Sequence, residues 1–219
     1  MIKKILSGFL FALLLSGCNM KEPKQVQEWK IQNDPYYKHK TSQFKVLAMN
    51  EKYTTTMLGD SITDEGQWDE LLDNPYVQNR GISGDTTDGV LERLDSINKS
   101  IKQVFIMIGV NDIMRGREVD EVYSNYLKII KHFQDRNIKV YIQATLFIGE
   151  RRAENFNIKV EDLDNRLEKY AKENSITFIN LNPIFAPDKI LKKEFTFDDL
   201  HLNGSAYKLW AQEIKKYFR

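Results

Sequence analysis

Four short blocks carry residue types whose combination suits acyl-transfer chemistry. The first is Gly59-Asp60-Ser61-Ile62-Thr63, where a hydroxyl follows directly on an apolar run. The last is Phe197-Asp198-Asp199-Leu200-His201-Leu202-Asn203. An aspartate three residues before a histidine can fold back within one turn and accept the Nδ1 hydrogen, which leaves Nε2 free as a base. Between them lie Asn79 to Thr87 (NRGISGDTT), whose glycines leave backbone amides unshielded, and Ile108 to Asp112 (IGVND), whose Asn111 offers an NH2 to a developing negative charge. Taken singly, each block has a plainer use. Ser61 would cap a helix with Asp64 in a partial capping box, Asn111 and Asp112 would close a turn, Thr86 or Thr87 would cap a helix, and His201 would be a surface or capping histidine. Together they supply a nucleophile, a base, its orienter and oxyanion donors.

Such groups need a scaffold that brings distant positions together. Strand-like runs are expected at Thr54 to Leu58, Tyr76 to Asn79, Val104 to Ile108, Val140 to Thr145 and Ile176 to Asn180. Helical patterns fall between them, at Trp68 to Leu72, Thr87 to Ile97, Val119 to Arg136, Val160 to Asn174 and Ser205 to Tyr217. The third run, VFIMI, is continuously apolar, as a strand covered on both faces must be. In the helix after it, Val122, Tyr126, Ile129, Ile130 and Phe133 form one apolar stripe. Alternating strands and helices predict a three-layer α/β/α sandwich around a five-stranded parallel sheet, with function at the carboxyl ends of the strands where strand order reverses. All four blocks sit there or just before the last helix. His132, opposite the stripe, is expected to face solvent, and His39 has no partner in the sequence. Asp60 and Asp112 are expected to scaffold the crevice loops. Arg115, Arg117, Arg151 and Arg152 fall in loops after the third and fourth strands, as solvated surface or as contacts for an anionic sugar or lipid head group.

Composition narrows the alternatives. The 219 residues carry a formal charge of +1, three histidines and one cysteine. Near-neutrality argues against a nucleic-acid partner, one cysteine excludes a disulfide framework, and scattered histidines make a metal site improbable. The amino terminus stands apart. Lys3 and Lys4 precede an apolar run from Ile5 to Leu15, shorter than the roughly 20 residues that span a bilayer, and Leu15-Ser16-Gly17-Cys18 follows. That ending resembles the lipobox of bacterial lipoproteins. It implies a signal peptide over residues 1–17, lipid on Cys18, and attachment to the bacterial cell envelope through lipid rather than charge. An ordinary secretory signal with an incidental Cys18 is the plainer alternative. Residues 18–35 are expected to be a flexible tether and residues 36–219 the folded domain, whose first short helix would bury Tyr37, Phe44 and Leu47.

The motifs GDSIT, NRGISGDTT, IGVND and DDLHLN, in this order, resemble those of the GDSL-type or SGNH hydrolases, the four letters standing here as Ser61, Gly84, Asn111 and His201. The resemblance covers nearly all of residues 36–219 and extends to the closing-helix sequence NGSAYKLWAQEI. It implies a flavodoxin-like fold and a serine esterase without metal or cofactor. Ser61 would be the nucleophile, His201 the base and Asp198 its orienter, with the amides of Ser61 and Gly84 and the Asn111 side chain as oxyanion hole. Asp199 adjoins Asp198, and only the three-residue spacing favours Asp198. The chain lacks the G-x-S-x-G elbow of ordinary α/β-hydrolases. Within the family the chain looks most like envelope esterases that deacetylate sugars, sialic acid among them, and like platelet-activating-factor acetylhydrolases. A small acylated substrate is therefore expected. Short-chain lipid hydrolysis, acyl transfer to a glycan and non-catalytic glycan binding are the alternatives. Phe147, Ile148 and the loop from Gly149 to Asn157 depart from the proline-bearing loop the family would lead one to expect.

Overall fold

The computed structural model describes residues 29–153 and 155–218. Residues 1–17, Cys18 and the tether up to residue 28 lie outside the described residues. Five strands, β1 (Thr55–Gly59), β2 (Val77–Gly81), β3 (Gln103–Met107), β4 (Lys139–Gln143) and β5 (Thr177–Ile179), form one parallel sheet in the order β2-β1-β3-β4-β5. In register, Leu58 of β1 lies opposite Arg80 of β2 and Ile106 of β3. The order reverses between β1 and β3, so the loops leaving these two strands diverge and open a crevice.

Ten helices lie along the described chain. They are α1 (Pro35–Leu47), α2 (Ser61–Asp64), α3 (Trp68–Leu71), α4 (Thr87–Glu92), α5 (Val110–Met114), α6 (Val119–Gln134), α7 (Glu150–Ala153), α8 (Phe156–Glu173), α9 (Asn182–Phe185) and α10 (Gly204–Lys215). The helix expected from Thr87 to Ile97 stops at Glu92, where Arg93 leaves helical backbone and a short 3-10 turn follows at Leu94–Ser96. The one-turn helices α2, α5, α7 and α9 are too short to show a 3.6-residue period in sequence. Among the described residues no helix is long and apolar enough to cross a membrane.

Alternation along β3 explains its unbroken apolar run. Val104 and Ile106 face one side with Leu58 and Ile142, under the α6 stripe and Val160, Leu163 and Leu167 of α8. Phe105 and Met107 face the other, with Met57, Tyr141 and the side chains of Trp68, Tyr207 and Trp210. Both buried indoles find acceptors, Trp210 Nε1 on Gln143 Oε1 at 2.6 Å and Trp68 Nε1 on the Thr63 carbonyl at 2.8 Å.

Three expectations need correction. Packing starts before residue 36, because Ile31 is only 3% exposed and joins Tyr37, Phe44 and Ile82 in a separate small core. Asp34 then caps α1 by accepting from the Tyr37 amide at 3.1 Å, with Pro35 at the first helical position. Leu47 stays exposed and takes no part. His132 is half-buried rather than solvated, since its ring packs edge-on against Phe133 and lies 3.0 Å from Arg136 Nη1 one turn later. Burial first, and then the Arg136 charge, lowers its pKa.

Candidate active site

β1 ends at Gly59, where any side chain would collide with the Met107 carbonyl and with Thr63, so the strand can turn straight into α2. Asp60, not Ser61, is the N-cap. Its Oδ1 accepts from the Ile62 amide at 3.0 Å, which places Ser61 at the first helical position, where an amide has no intrahelical acceptor. Asp64 does not close a capping box; it takes Lys40 Nζ at 2.6 Å, the Tyr36 hydroxyl at 2.7 Å and the Ser83 amide at 3.2 Å. It therefore ties α1 and the loop after β2 to the helix that carries Ser61.

That loop turns at Gly84 with φ of +76°, a conformation that disfavours any other residue. Its neighbour Asp85 is wholly buried and paired with the equally buried Arg93, whose Nε donates at 2.8 Å and whose Nη2 reaches the Gly59 carbonyl at 3.2 Å. Asn111, in the first turn of α5, donates Nδ2 to the Asp85 carbonyl at 3.0 Å, which leaves its second amide hydrogen uncommitted in that bond. Asp112 accepts from the Thr87 amide at 2.9 Å and the Thr87 hydroxyl at 2.8 Å. Thr86, not Thr87, caps α4. The expected scaffolding role of Asp60 and Asp112 is thus visible bond by bond. Burial pushes Asp60 up to about 7 and Asp112 up to about 6, and it raises Asp85 against the opposing pull of Arg93.

The histidine arrives on a loop between a 3-10 turn and α10. Asp198 Oδ1 accepts from the amides of Leu200 at 3.0 Å and His201 at 2.8 Å, an Asx-type turn that aims the next ring back along the chain. Asp198 Oδ2 then lies 2.8 Å from His201 Nδ1, and His201 Nε2 lies 2.9 Å from Ser61 Oγ. Burial pushes the Asp198 carboxyl up. The His201 amide, its ring and the Leu200 amide outweigh that and hold it at about 2. Asp199 is excluded from this line. It sits at positive φ, is buried, accepts from Arg151, and its carbonyl takes the Gly149 amide at 2.8 Å. Arg152 lies 3.5 Å from Asp198 and Arg117 pairs with Asp88 and Glu121, so three of the four loop arginines are matched to carboxylates; Arg115 is turned toward Trp29.

Chemically, a carboxylate fixes the Nδ1 hydrogen, Nε2 faces a hydroxyl, and the hydroxyl stands at the start of a helix that the glycine-bearing loop after β2 is tied to. This suits nucleophilic attack on a carbonyl carbon. Ser61, His201 and Asp198 are brought together as a hydrogen-bonded line, while Asn111, in the first turn of α5, is tied to the carbonyl of Asp85, the neighbour of Gly84. Reading the sequence missed the Asp85–Arg93 pair, the three bonds from Asn79 Nδ2 to the carbonyls of Thr63, Asp64 and Gly66, and the Tyr207 hydroxyl on the Ile62 carbonyl at 2.7 Å. Asn79 lies within the NRGISGDTT block, so only its role escaped; Arg93 and Tyr207 carry no local signal.

The family model described as "GDSL-like Lipase/Acylhydrolase family" matches residues 57–209. An arylesterase of Vibrio mimicus is 27% identical over 76% of this chain and 80% of its own length. An N-acylneuraminate cytidylyltransferase of Streptococcus agalactiae is 27% identical over 84% of this chain, which spans only 44% of that relative. A solved GDSL-like lipase of Bacteroides thetaiotaomicron superposes with a TM-score of 0.70 at 27% identity, covering 83% of this chain and 96% of that one.

Proposed function

Because the chain belongs to the GDSL-like lipase/acylhydrolase family, we propose that it is a serine carboxyl-ester hydrolase that removes acetyl or other short acyl groups from a glycan, of the cell envelope or exogenous. The observation that carries this reading is the line from Asp198 through His201 to Ser61, with both hydrogen bonds under 3 Å. Ser61 Oγ attacks the ester carbonyl as His201 Nε2 takes its proton. Asp198 holds the tautomer and stabilises the imidazolium. The oxyanion that forms is met by the amides of Ser61 and Gly84 and the free hydrogen of Asn111 Nδ2. His201 then gives its proton to the departing alcohol, and a water, deprotonated by the same nitrogen, releases the acid and restores Ser61. The relative named for an N-acylated sugar supports a sugar as the alcohol half without fixing its charge. Lipid attachment at Cys18 is part of this proposal and rests on the Leu15 to Cys18 motif alone.

A panel of p-nitrophenyl esters tests it. The greatest kcat/KM is expected for acetate or another short acyl chain, with Ser61→Ala lowering kcat by about 10⁴ or more. A maximum at C8 or longer, or hydrolysis that survives Ser61→Ala, overturns the reading.

A further inference from the structure

Trp29 lies upstream of the residues matched by the family model, yet it is built into the crevice. The Arg115 guanidinium stands 4.0 Å from its ring centroid, and Arg115 Nη1 donates to the Asn111 carbonyl at 3.3 Å. One side chain therefore links the indole to the first turn of α5, which carries Asn111. Arg115 covers part of the ring, but Trp29 remains 51% exposed. Next to it opens a cavity of about 520 Å³, a size usual for small-molecule sites, walled among others by Trp29, Asp34, Tyr36, Glu65, Gly84 and Arg115. It adjoins the reacting groups at two points, since Gly84 is one wall and Glu65 Oε1, another, lies 3.9 Å from His201 Nε2. The segment that forms its outer wall is fixed by burial of Ile31, by the Asp34 cap on α1 and by the Tyr36 hydroxyl on Asp64.

We propose that this cavity is the subsite for the alcohol half of the ester and takes a neutral sugar ring, stacked on the open part of Trp29; it rests on the ester-hydrolase reading above and deepens it. The charge pattern selects the class. An anionic sugar would face Asp34 and Glu65 as well as Asp64, whose charge Lys40 already offsets, while a cationic head group would face Arg115. Neutral hydroxyls, each both donor and acceptor, can use all of these. Exposed aromatic faces at Trp29 and Tyr36 supply apolar area to bury against the ring's C–H face.

Of the chain's three tryptophans, Trp68 and Trp210 are buried, so a ligand at this cavity is read in the emission of Trp29. The Ser61→Ala protein is titrated with methyl glucoside, glucuronate and choline. Saturable quenching by methyl glucoside, weaker for the other two, is expected. No change with methyl glucoside, or stronger binding of glucuronate or of choline, overturns the proposal. In the active enzyme, Trp29→Ala is expected to lower the kcat/KM ratio of O-acetylated methyl glucoside over p-nitrophenyl acetate about tenfold, mainly through KM. An unchanged ratio overturns it as well. The binding arm needs no turnover, so failure of both esters in the wild type would remove the hydrolase reading while the titration still decided the sugar site.

Discussion

The aspartates on the two sides of the crevice are used in opposite ways. On the sheet side Asp60, Asp85 and Asp112 are buried, and burial raises all three. They set amides and loops in place by accepting hydrogen bonds, at the cost of desolvating a carboxylate. On the carboxyl-terminal side Asp198 keeps 38% of its side chain exposed and is held near 2, an acid kept charged beside the His201 ring. The sheet side is thus organised for position and the loop side for charge. Substitutions on the first should register mainly in stability and those on the second mainly in rate.

The largest expected effect is on rate. Asp198→Asn should lower kcat on p-nitrophenyl acetate by about 10³ to 10⁴, with a loss of stability, followed by circular dichroism at neutral pH, that is smaller than that of Arg93→Ala. An equally large loss of stability would break the contrast. Arg93→Ala should do the reverse, because it leaves Asp85 buried without its cation. Breaking a buried pair costs about 3–5 kcal/mol, which for a chain of this size lowers the melting temperature by about 10 °C. Denaturant titration and thermal scans at neutral pH check it.

Stability against pH sharpens the same comparison. Asp198 has a folded pKa of about 2, below its ordinary 3.8, so its contribution is present above about pH 4 and is lost as pH falls toward 2. Asp60, raised from 3.8 to about 7, contributes in the other direction: fully below about pH 4, and progressively lost as pH rises to 7. Urea unfolding of Asp60→Asn should therefore show a flatter stability profile between pH 4 and 7 than the wild type, and Asp198→Asn a flatter one between pH 4 and 2. The smallest effect is expected from Arg152→Ala. Its contact with Asp198 is 3.5 Å and solvent-screened, so kcat should fall by less than about fivefold, and less still in high salt.

What the sequence reveals of this site follows the range of the interactions. Asp198 and His201 are legible because their bond closes within one turn, and Ser61 because strand and hydroxyl are adjacent. β3 is legible because it is an apolar run covered on both faces, and the other four strands because short strand-like runs alternate with helical patterns. Arg93 is illegible for the opposite reason. A lone arginine eight residues after an aspartate looks solvated, and only the curl of the chain after Glu92 puts both inside. Trp29 reads as part of a polar linker because its partner Arg115 belongs to another loop. Asp199, like Asp198 in type, is told apart in sequence only by the three-residue spacing of Asp198 to His201, and its positive φ and its bond to Arg151 add what that spacing lacks.

The bond between Ser61 and His201 joins positions 140 residues apart, and this spacing bears on assembly as well as reaction. Contacts between distant positions tend to close after much of the intervening chain has organised, so the Ser61 hydroxyl is expected to meet the His201 ring late in folding. A nascent or partly refolded chain carries an unarmed hydroxyl, and recovered turnover should lag behind recovered helix content.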